Sequence, residues 1–433
     1  MGGSRALLLL ALSLAAALPV ARCGGKRVLA LIGDGGVRAS HSRFFQGLRD
    51  AGLELDIKAV DDDGLLLRNF GSWHYDHLLL FAPHATGFGG DVTRTAILDF
   101  VDAGGNLLLA LAPGASAAMR GLAADVGAEP LEPRGAAVFD HFSRQAAGGA
   151  ADPALIATSA WADSVAVFGG APPAAPVLFR GVAAAVPAGS ELVMVALSAS
   201  PTAYSSDPKR PEPSLPAGGG AALVSLLQAR NNARALVAGS LDMFSDELFA
   251  APVTVAATGE SFPESGNRAF TLAAALWAFQ RRAVLRASPP RHRVVTAGRG
   301  EEGPPLYRVK DEVEFEVDIF EGRGDGEVPY KADDVQLSFT MLDPHVRQPL
   351  VALGNGTFRL AFTVPDVYGV FKYEIDYRRP GYSYIRLRQV IPVQPFKHDE
   401  YERFLLPAYP YYASTLSTMA AFFLAGWVFL YGK

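Results

Sequence analysis

The sequence predicts an α/β protein: a doubly wound, mostly parallel sheet, then a small β-sandwich, then one C-terminal transmembrane helix. Three observations predict it. Short continuous apolar runs alternate with helical patterns through the first part of the chain, as strands buried on both faces do when helices connect them. Beyond residue 305 the apolar period changes to two, with Gly and Pro turns between the runs. At the far end, Ala413–Tyr431 (ASTLSTMAAFFLAGWVFLY) carries no charge. As a helix it is about 28 Å long, close to the roughly 30 Å apolar core of a bilayer.

Taken in order, residues 1–23 have the layout of a secretory signal peptide: Arg5, an apolar run from Ala6 to Leu18, Pro19, then Ala21-Arg22-Cys23 as a small-x-small cleavage site. Cleavage after Cys23 would place Gly24 to about Tyr412 in the lumen. This signal sets the topology, because the charge flanks of the span (Lys397 and Arg403 before, Lys433 after) would not settle it. Arg27–Ile32 (RVLALI) reads as a buried parallel strand ended by Gly33-Asp34-Gly35-Gly36. Ser40 could cap a helix to Asp50 with Phe44, Phe45 and Leu48 on one face, and Gly52 lies just past its end. Leu53–Val60 and His77–Ala82 are the next strands. Asp91 can cap Val92–Ala103, with Ile97, Leu98 and Val101 apolar, before Gly104-Gly105 and the strand Asn106–Ala112.

From about 130 to 220 the chain is rich in Pro, Gly and Ala, and only Pro176–Val182 and Glu191–Leu197 look like strands. Ala221–Gln228 and Ala233–Gly239 flank Arg230-Asn231-Asn232, where Asn tolerates the positive φ of a tight hairpin. Gly266-Asn267 opens a helix to about Arg282, with Phe270, Ala273, Ala274 and Trp277 at helical spacing. Residues 24–285 are thus one lumenal α/β domain, with a break into two lobes near 130–150 left open. Residues 286–305 are expected to be a linker. Over 306–394 the alternating runs (Val313, Phe315, Val317, Ile319; Val335, Leu337, Phe339; Phe358, Leu360, Phe362; Val370, Tyr373, Ile375, Tyr377; and Tyr384–Val393) predict a lumenal β-sandwich. Residues 395–412 form a pre-membrane segment, 413–431 the transmembrane helix, and 432–433 a cytosolic tail. Tyr409, Tyr411 and Tyr412 before the span, with Trp427 and Tyr431 at its end, suit the two headgroup layers.

Composition narrows the function classes. The 433 residues are 50% hydrophobic and 19% charged, with a formal net charge of −5. That balance gives no basic footprint for nucleic acid. The one cysteine, Cys23, leaves with the signal peptide, so neither a disulfide nor a thiol mechanism is expected of the mature chain.

No catalytic, cofactor-binding or metal-ligating residue emerges. Gly33-x-Gly35 follows a strand, but Arg38 stands where a dinucleotide loop needs its third glycine. His74, His77, His84 and Asp76 lack a further clustered ligand, whereas metal sites need three or four converging ones. The sheet resembles that of class I glutamine amidotransferases and their relatives, which carry a nucleophile on a sharp turn after a strand. The comparable turn here reads Pro113-Gly114-Ala115-Ser116, and there is no G-x-S-x-G elbow. Ser116 with a distant His141 is what a hydrolase reading would rest on. Arg323-Gly324-Asp325 is an integrin tripeptide in a Gly-rich hairpin, where those residues also belong for backbone reasons. Asn355-Gly356-Thr357 is the one N-x-S/T acceptor, and equally a turn pair. In the span, Ala413, Ser417, Ala421 and Ala425 recur every four residues. Such a strip lets another membrane helix approach, with Ser417 able to hydrogen-bond across.

Several segments carry a family resemblance. They are Arg38-Ala39-Ser40-His41-Ser42 with Phe44-Phe45; Leu227-Gln228-Ala229-Arg230-Asn231-Asn232-Ala233-Arg234 leading to Gly239-Ser240-Leu241-Asp242; Pro365-Asp366-Val367-Tyr368-Gly369-Val370-Phe371; and Tyr401-Glu402-Arg403-Phe404 followed by Ala408-Tyr409-Pro410-Tyr411-Tyr412-Ala413-Ser414. In this order the chain resembles the one-span subunit family of oligosaccharyltransferase, the dolichyl-diphosphooligosaccharide–protein glycosyltransferase 48 kDa subunits. The likeness is weakest from about 115 to 175. It implies a single-pass type I protein of the endoplasmic reticulum membrane. It implies membership of the complex that moves a dolichol-linked oligosaccharide to Asn of N-x-S/T, with catalysis in a many-span partner and with the ribophorins and the small defender-against-cell-death subunit as further partners. Relatives usually carry a longer charged cytosolic tail than Gly432-Lys433, so retention through partners is the expectation here. A membrane-anchored lumenal hydrolase or amidotransferase-like enzyme, and a cell-surface receptor ectodomain, are the alternatives.

Overall fold

A computed structural model describes residues 26–432 apart from 132–134, 146–151, 163, 171, 188, 208–209, 215–220, 257–258, 296–305, 325 and 402–403. Residues 1–23, the expected signal peptide, therefore lie outside the described residues, as do Asp325 of the tripeptide and Arg403.

The first part follows the order β1 (Arg27–Ile32), α1 (Ser42–Asp50), β2 (Glu54–Ala59), β3 (His77–Phe81), α2 (Arg94–Asp102), β4 (Asn106–Ala110) and α3 (Ala117–Asp125), then β5 (Val193–Ser198), β6 (Ala222–Gln228), β7 (Arg234–Ala238) and α4 (Asn267–Ala278). The sheet runs β2-β1-β3-β4-β7-β6, parallel as far as β7. β6 is antiparallel to β7, and β5 and the short Ala184–Ala185 are antiparallel to β6. The sheet is therefore mixed rather than mostly parallel. The cause is the expected hairpin at Arg230–Asn232: Asn232 takes φ 68°, and a turn that tight can only reverse the chain, since a parallel return needs a long crossover.

Alternate residues of β1 decide the layering. Val28, Ala30 and Ile32 pack with Phe44, Phe45 and Leu48 of α1 and with α4, whereas Leu29 and Leu31 pack with Ile97, Phe100 and Val101 of α2 and with Met119 and Leu122 of α3. Two-residue alternation in a strand apolar throughout gives one helical layer on each face.

The second part has two sheets. One joins β8 (Val284–Ala287) and β9 (Arg291–Val294), both antiparallel to β10 (Glu312–Arg323), to β12 (Thr357–Thr363); the other joins β11 (Gln336–Thr340), β13 (Gly369–Tyr377) and β14 (Ile385–Gln394). Their inner faces meet at Phe315 and Tyr373 (4.9 Å) and at Phe339 and Phe362 (5.3 Å). This corrects the expected linker at 286–305: β8 and β9 are strands of the sandwich, and 296–305 lies outside the described residues. Proline and charge hid them, because both pair along one long strand whose apolar side chains supply the burial. One hydrophobic core, including Trp277, Phe279 and Leu285, runs from the α4 side of the first sheet into the sandwich.

Four local expectations change. Ser40 does not cap α1: a short helix, Gly36–Ser40, ends there, and Asp246 instead accepts from the amides of Ser42 (3.0 Å) and Arg43 (2.9 Å). Thr93, not Asp91, caps α2, accepting from the Ala96 amide at 3.1 Å. In β13 the buried series is Phe371, Tyr373, Ile375 and Tyr377, which leaves Val370 on the outer face, as a strict period of two demands. The terminal helix α5 (Tyr409–Tyr431) starts before Ala413, because Pro410 is tolerated in a first turn where its missing N–H costs nothing.

Candidate functional site

In a sheet wound on both faces, ligands sit beyond the C-terminal ends of the parallel strands. Here the edge is built from the loops after β1, β3, β4 and β7. Gly33 leaves β1 with its amide on the Phe81 carbonyl at 3.1 Å. His41, buried, sets Nε2 3.3 Å from the Leu241 carbonyl oxygen and Nδ1 2.9 Å from the Ser40 hydroxyl. Donation to a carbonyl fixes the proton on Nε2. Burial lowers the imidazole pKa below 6.5, outweighing the Leu241 carbonyl and the carboxylates of Asp242 and Asp246. Asp242 takes the Arg180 guanidinium at 2.7 Å, and Ser240 Oγ donates to the Arg180 carbonyl at 2.7 Å. Gly239 is required by contact: a Cβ there would lie 1.8 Å from the Val182 carbonyl oxygen.

Ser116 occupies the turn after β4, where the amidotransferase comparison placed it. Its hydroxyl accepts from the Met119 amide at 3.2 Å, capping α3, and donates to the Ala85 carbonyl. It is 1% exposed. His141 instead sets Nε2 3.0 Å from the Tyr204 hydroxyl and stacks on that ring. Beside it, Asp140 is buried, which acts to raise its pKa. Donation from Ser200, Thr202 and the amides of Phe142 and Ser143 outweighs this and holds the carboxyl below the usual range. Ser116 and His141 thus belong to separate networks.

His77 and His74 near β3 likewise have their own partners. His77 Nδ1 lies 3.0 Å from Asn106 Nδ2 and its ring packs on Phe279 at 4.9 Å. Asp76 pairs with Arg27, and His74 packs edge-on against Tyr75. Among the described residues there is no cluster of three His, Cys, Asp or Glu side chains.

The densest polar arrangement is one that spacing did not reveal. Arg234, at the start of β7, is fully buried. Its guanidinium donates to the carbonyls of Trp277 (2.8 Å), Arg282 (2.7 Å) and Ala283 (2.8 Å) and lies 4.6 Å from the Trp277 ring centroid. Trp277 Nε1 donates to the Gly381 carbonyl at 2.7 Å. Gln228 donates to the Tyr382 carbonyl, and Asn232 exchanges hydrogen bonds with the Tyr384 backbone (2.6 and 3.2 Å). The β6–β7 hairpin and the end of α4 are thereby bonded to the β13–β14 turn of the sandwich. A buried cation in an apolar strand must be satisfied locally, so an arginine beside ALVAG was the available signal.

Arg323 pairs with Glu321 at 3.1 Å, and the Gly324 amide donates to the Arg281 carbonyl at 2.9 Å. Asn355 is exposed between Gly354 (φ 86°) and Gly356 (φ 92°); its Oδ1 accepts from the Thr357 amide at 3.0 Å, while the Thr357 hydroxyl donates to Asp318 at 2.7 Å. α5 is the helix among the described residues long and apolar enough to cross a membrane, and none of its residues is buried. Ala413, Ser417, Ala421 and Ala425 are all exposed along it. The Ser417 hydroxyl donates within the helix to the Ser414 carbonyl at 2.9 Å, so only its lone pairs face outward.

The chain matches the family model described as "OST48, N-terminal domain" over residues 20–281 and "OST48 middle domain" over 294–433. It belongs to the OST48 family. Its relatives include proteins named dolichyl-diphosphooligosaccharide–protein glycosyltransferase 48 kDa subunit in three organisms. The Arabidopsis thaliana protein is 41% identical, covering 94% of this chain and 93% of its own length. That of Danio rerio is 38% identical, covering 94% and 92%. That of Drosophila melanogaster is 36% identical, covering 97% and 95%. Two of the segments that carry the OST48 resemblance in sequence are structural in this fold: His41, Phe44 and Phe45 sit under the β1 edge, and Gln228 to Arg234 make the joint with the sandwich.

Proposed function

We propose that this OST48-family chain is a non-catalytic scaffold subunit of the oligosaccharyltransferase complex of the endoplasmic reticulum membrane, with its α/β part and sandwich on the lumenal side. The complex transfers oligosaccharide from dolichyl diphosphate to Asn of N-x-S/T in protein N-glycosylation, with the chemistry in a many-span partner. The observation that carries the reading is the use made of the strand-end edge: Ser116 caps a helix, His41 holds a neighbouring loop, and Asp242 is paired with Arg180. A reactive site needs a nucleophile, a base and an oxyanion pocket converging on one point, and these groups hold loops together instead.

Assembly is supported elsewhere on the surface. Val367, Tyr368 and Val370 are exposed together, an apolar group of the kind partner surfaces cover. The small-residue face of α5 suits a second membrane helix. The many-span catalytic subunit, the ribophorins and the defender-against-cell-death subunit are the partners proposed for these faces. The test is transfer from a dolichyl-diphosphate donor to an N-x-S/T peptide, by this chain alone and by the complex purified with it. Transfer only by the complex is expected. Turnover by the isolated chain would overturn the proposal.

A further inference from the structure

Outside the strand-end edge, the outer side of α1 meets the first turn of α4 in a groove of about 550 Å³ lined by Arg38, Arg43, Arg49 and Arg268, with Phe45 and Ile57 supplying apolar wall. All four guanidinium-bearing side chains are exposed, and among the described residues none of them has an ion-pair or hydrogen-bond partner. No acidic residue lines the groove. Two carboxylates reach its lining through neutral partners: Asp246 accepts from the amide and hydroxyl of Ser42 and the amide of Arg43, and Asp50 accepts from Gln46 at 2.7 Å.

Elsewhere Arg94, Arg180, Arg291, Arg359 and Arg388 each sit on a carboxylate; here four arginines without such a partner gather around one concavity. Four like charges around one concavity repel, in a chain whose net charge is −5. Arg268 adds to the conflict. It stands in the first turn of a 12-residue helix that has no acidic residue there, so a cation faces the positive end of the helix dipole. A bound anion would relieve both.

We propose that this groove is a binding site for a ligand carrying a phosphate or diphosphate group. Planar guanidinium forks match phosphate oxygens two at a time. The volume falls in the range of small-molecule sites, and the arginines supply its free donors, because the Ser42 hydroxyl and the Gln46 amide already donate to Asp246 and Asp50. The inference goes beyond the scaffold role and does not depend on it.

The test is isothermal titration of inorganic pyrophosphate into the full-length chain, purified in mild detergent with its accompanying subunits. Saturable binding is expected. Arg43→Gln and Arg268→Gln should each weaken it by about fivefold, and the pair by about twentyfold or more, with the unfolding midpoint not lowered, because both side chains are exposed and their removal relieves like-charge repulsion. No saturable binding would overturn the proposal. So would an affinity that the substitutions leave unmoved, since the anion would then bind elsewhere in the assembly. Binding of a polyglutamate peptide without binding of pyrophosphate would also overturn it and make the groove a contact for an acidic protein segment.

Discussion

Replacing Arg234 with Met keeps most of the stem and removes the cation. Three short bonds to the carbonyls of Trp277, Arg282 and Ala283 are lost. Hydrogen bonds with a charged partner contribute about 1.5–3 kcal/mol each, so the gross loss is about 5 kcal/mol or more. Two terms reduce it. The Trp277 and Ala283 oxygens keep a second donor, the amides of Gln280 and Ser383, and a guanidinium no longer has to be taken out of water, which returns part of the cost. We expect Arg234→Met to destabilise the protein by about 3 kcal/mol. Arg234→Lys should fall between, because an ammonium cannot span the same fan of oxygens. The assay is urea denaturation of the full-length chain in detergent, followed by circular dichroism, with limited proteolysis alongside. In Arg234→Met, cleavage between residues 281 and 294 should become fast. A loss below about 0.5 kcal/mol with an unchanged cleavage pattern would refute the claim that this arginine joins the halves.

Ser116→Ala should cost about 1 kcal/mol through the lost α3 cap and leave glycan transfer by the purified complex unchanged; a fall in transfer at unchanged stability would restore the serine as a reactive group. Burial depresses the His41 pKa, so below about 6.5 the unfolded chain takes up a proton that the native imidazole refuses. Stability is therefore expected to fall as the pH drops below that value and to be flat above it, and His41→Asn should flatten the slope in unfolding midpoints compared at pH values on either side. Ala421→Leu with Ala425→Leu should loosen co-purification of partner subunits without lowering the unfolding midpoint of the parts outside the membrane; unchanged recovery would count against the small-residue face as a contact. Asn355 should carry a glycan, seen as one gel-mobility shift removed by peptide N-glycosidase and absent in Asn355→Gln; no shift in the parent chain would reduce the motif to a turn.

Apolar runs made the strands legible because burial on both faces leaves only one reading of RVLALI or NLLLALA. The hairpin followed from the tolerance of Asn231 and Asn232 for positive φ, and the span from its length and lack of charge. The failures share one cause, contacts between distant residues. Asp246 starts α1 from 204 positions away, so no local pattern could replace Ser40 as the cap. β8 and β9 are strands only because β10 lies beside them. Arg234 was visible as part of a family-like segment, but what it bonds comes from α4 and the sandwich. At the strand-end edge the sequence correctly showed the turn bearing Ser116, and it could not show that the hydroxyl was already engaged.

The continuous core has a practical consequence for anyone cutting the gene. The two family matches end and begin at residues 281 and 294, a natural place to divide an expression clone, yet that stretch is a weld. A fragment stopping there would bare Trp277 and Phe279 to water and strip Arg234 of two acceptors, Arg282 and Ala283. Neither half is a free-standing bead on a string; the polypeptide behaves as a single casting, and its pieces are expected to clump when made apart.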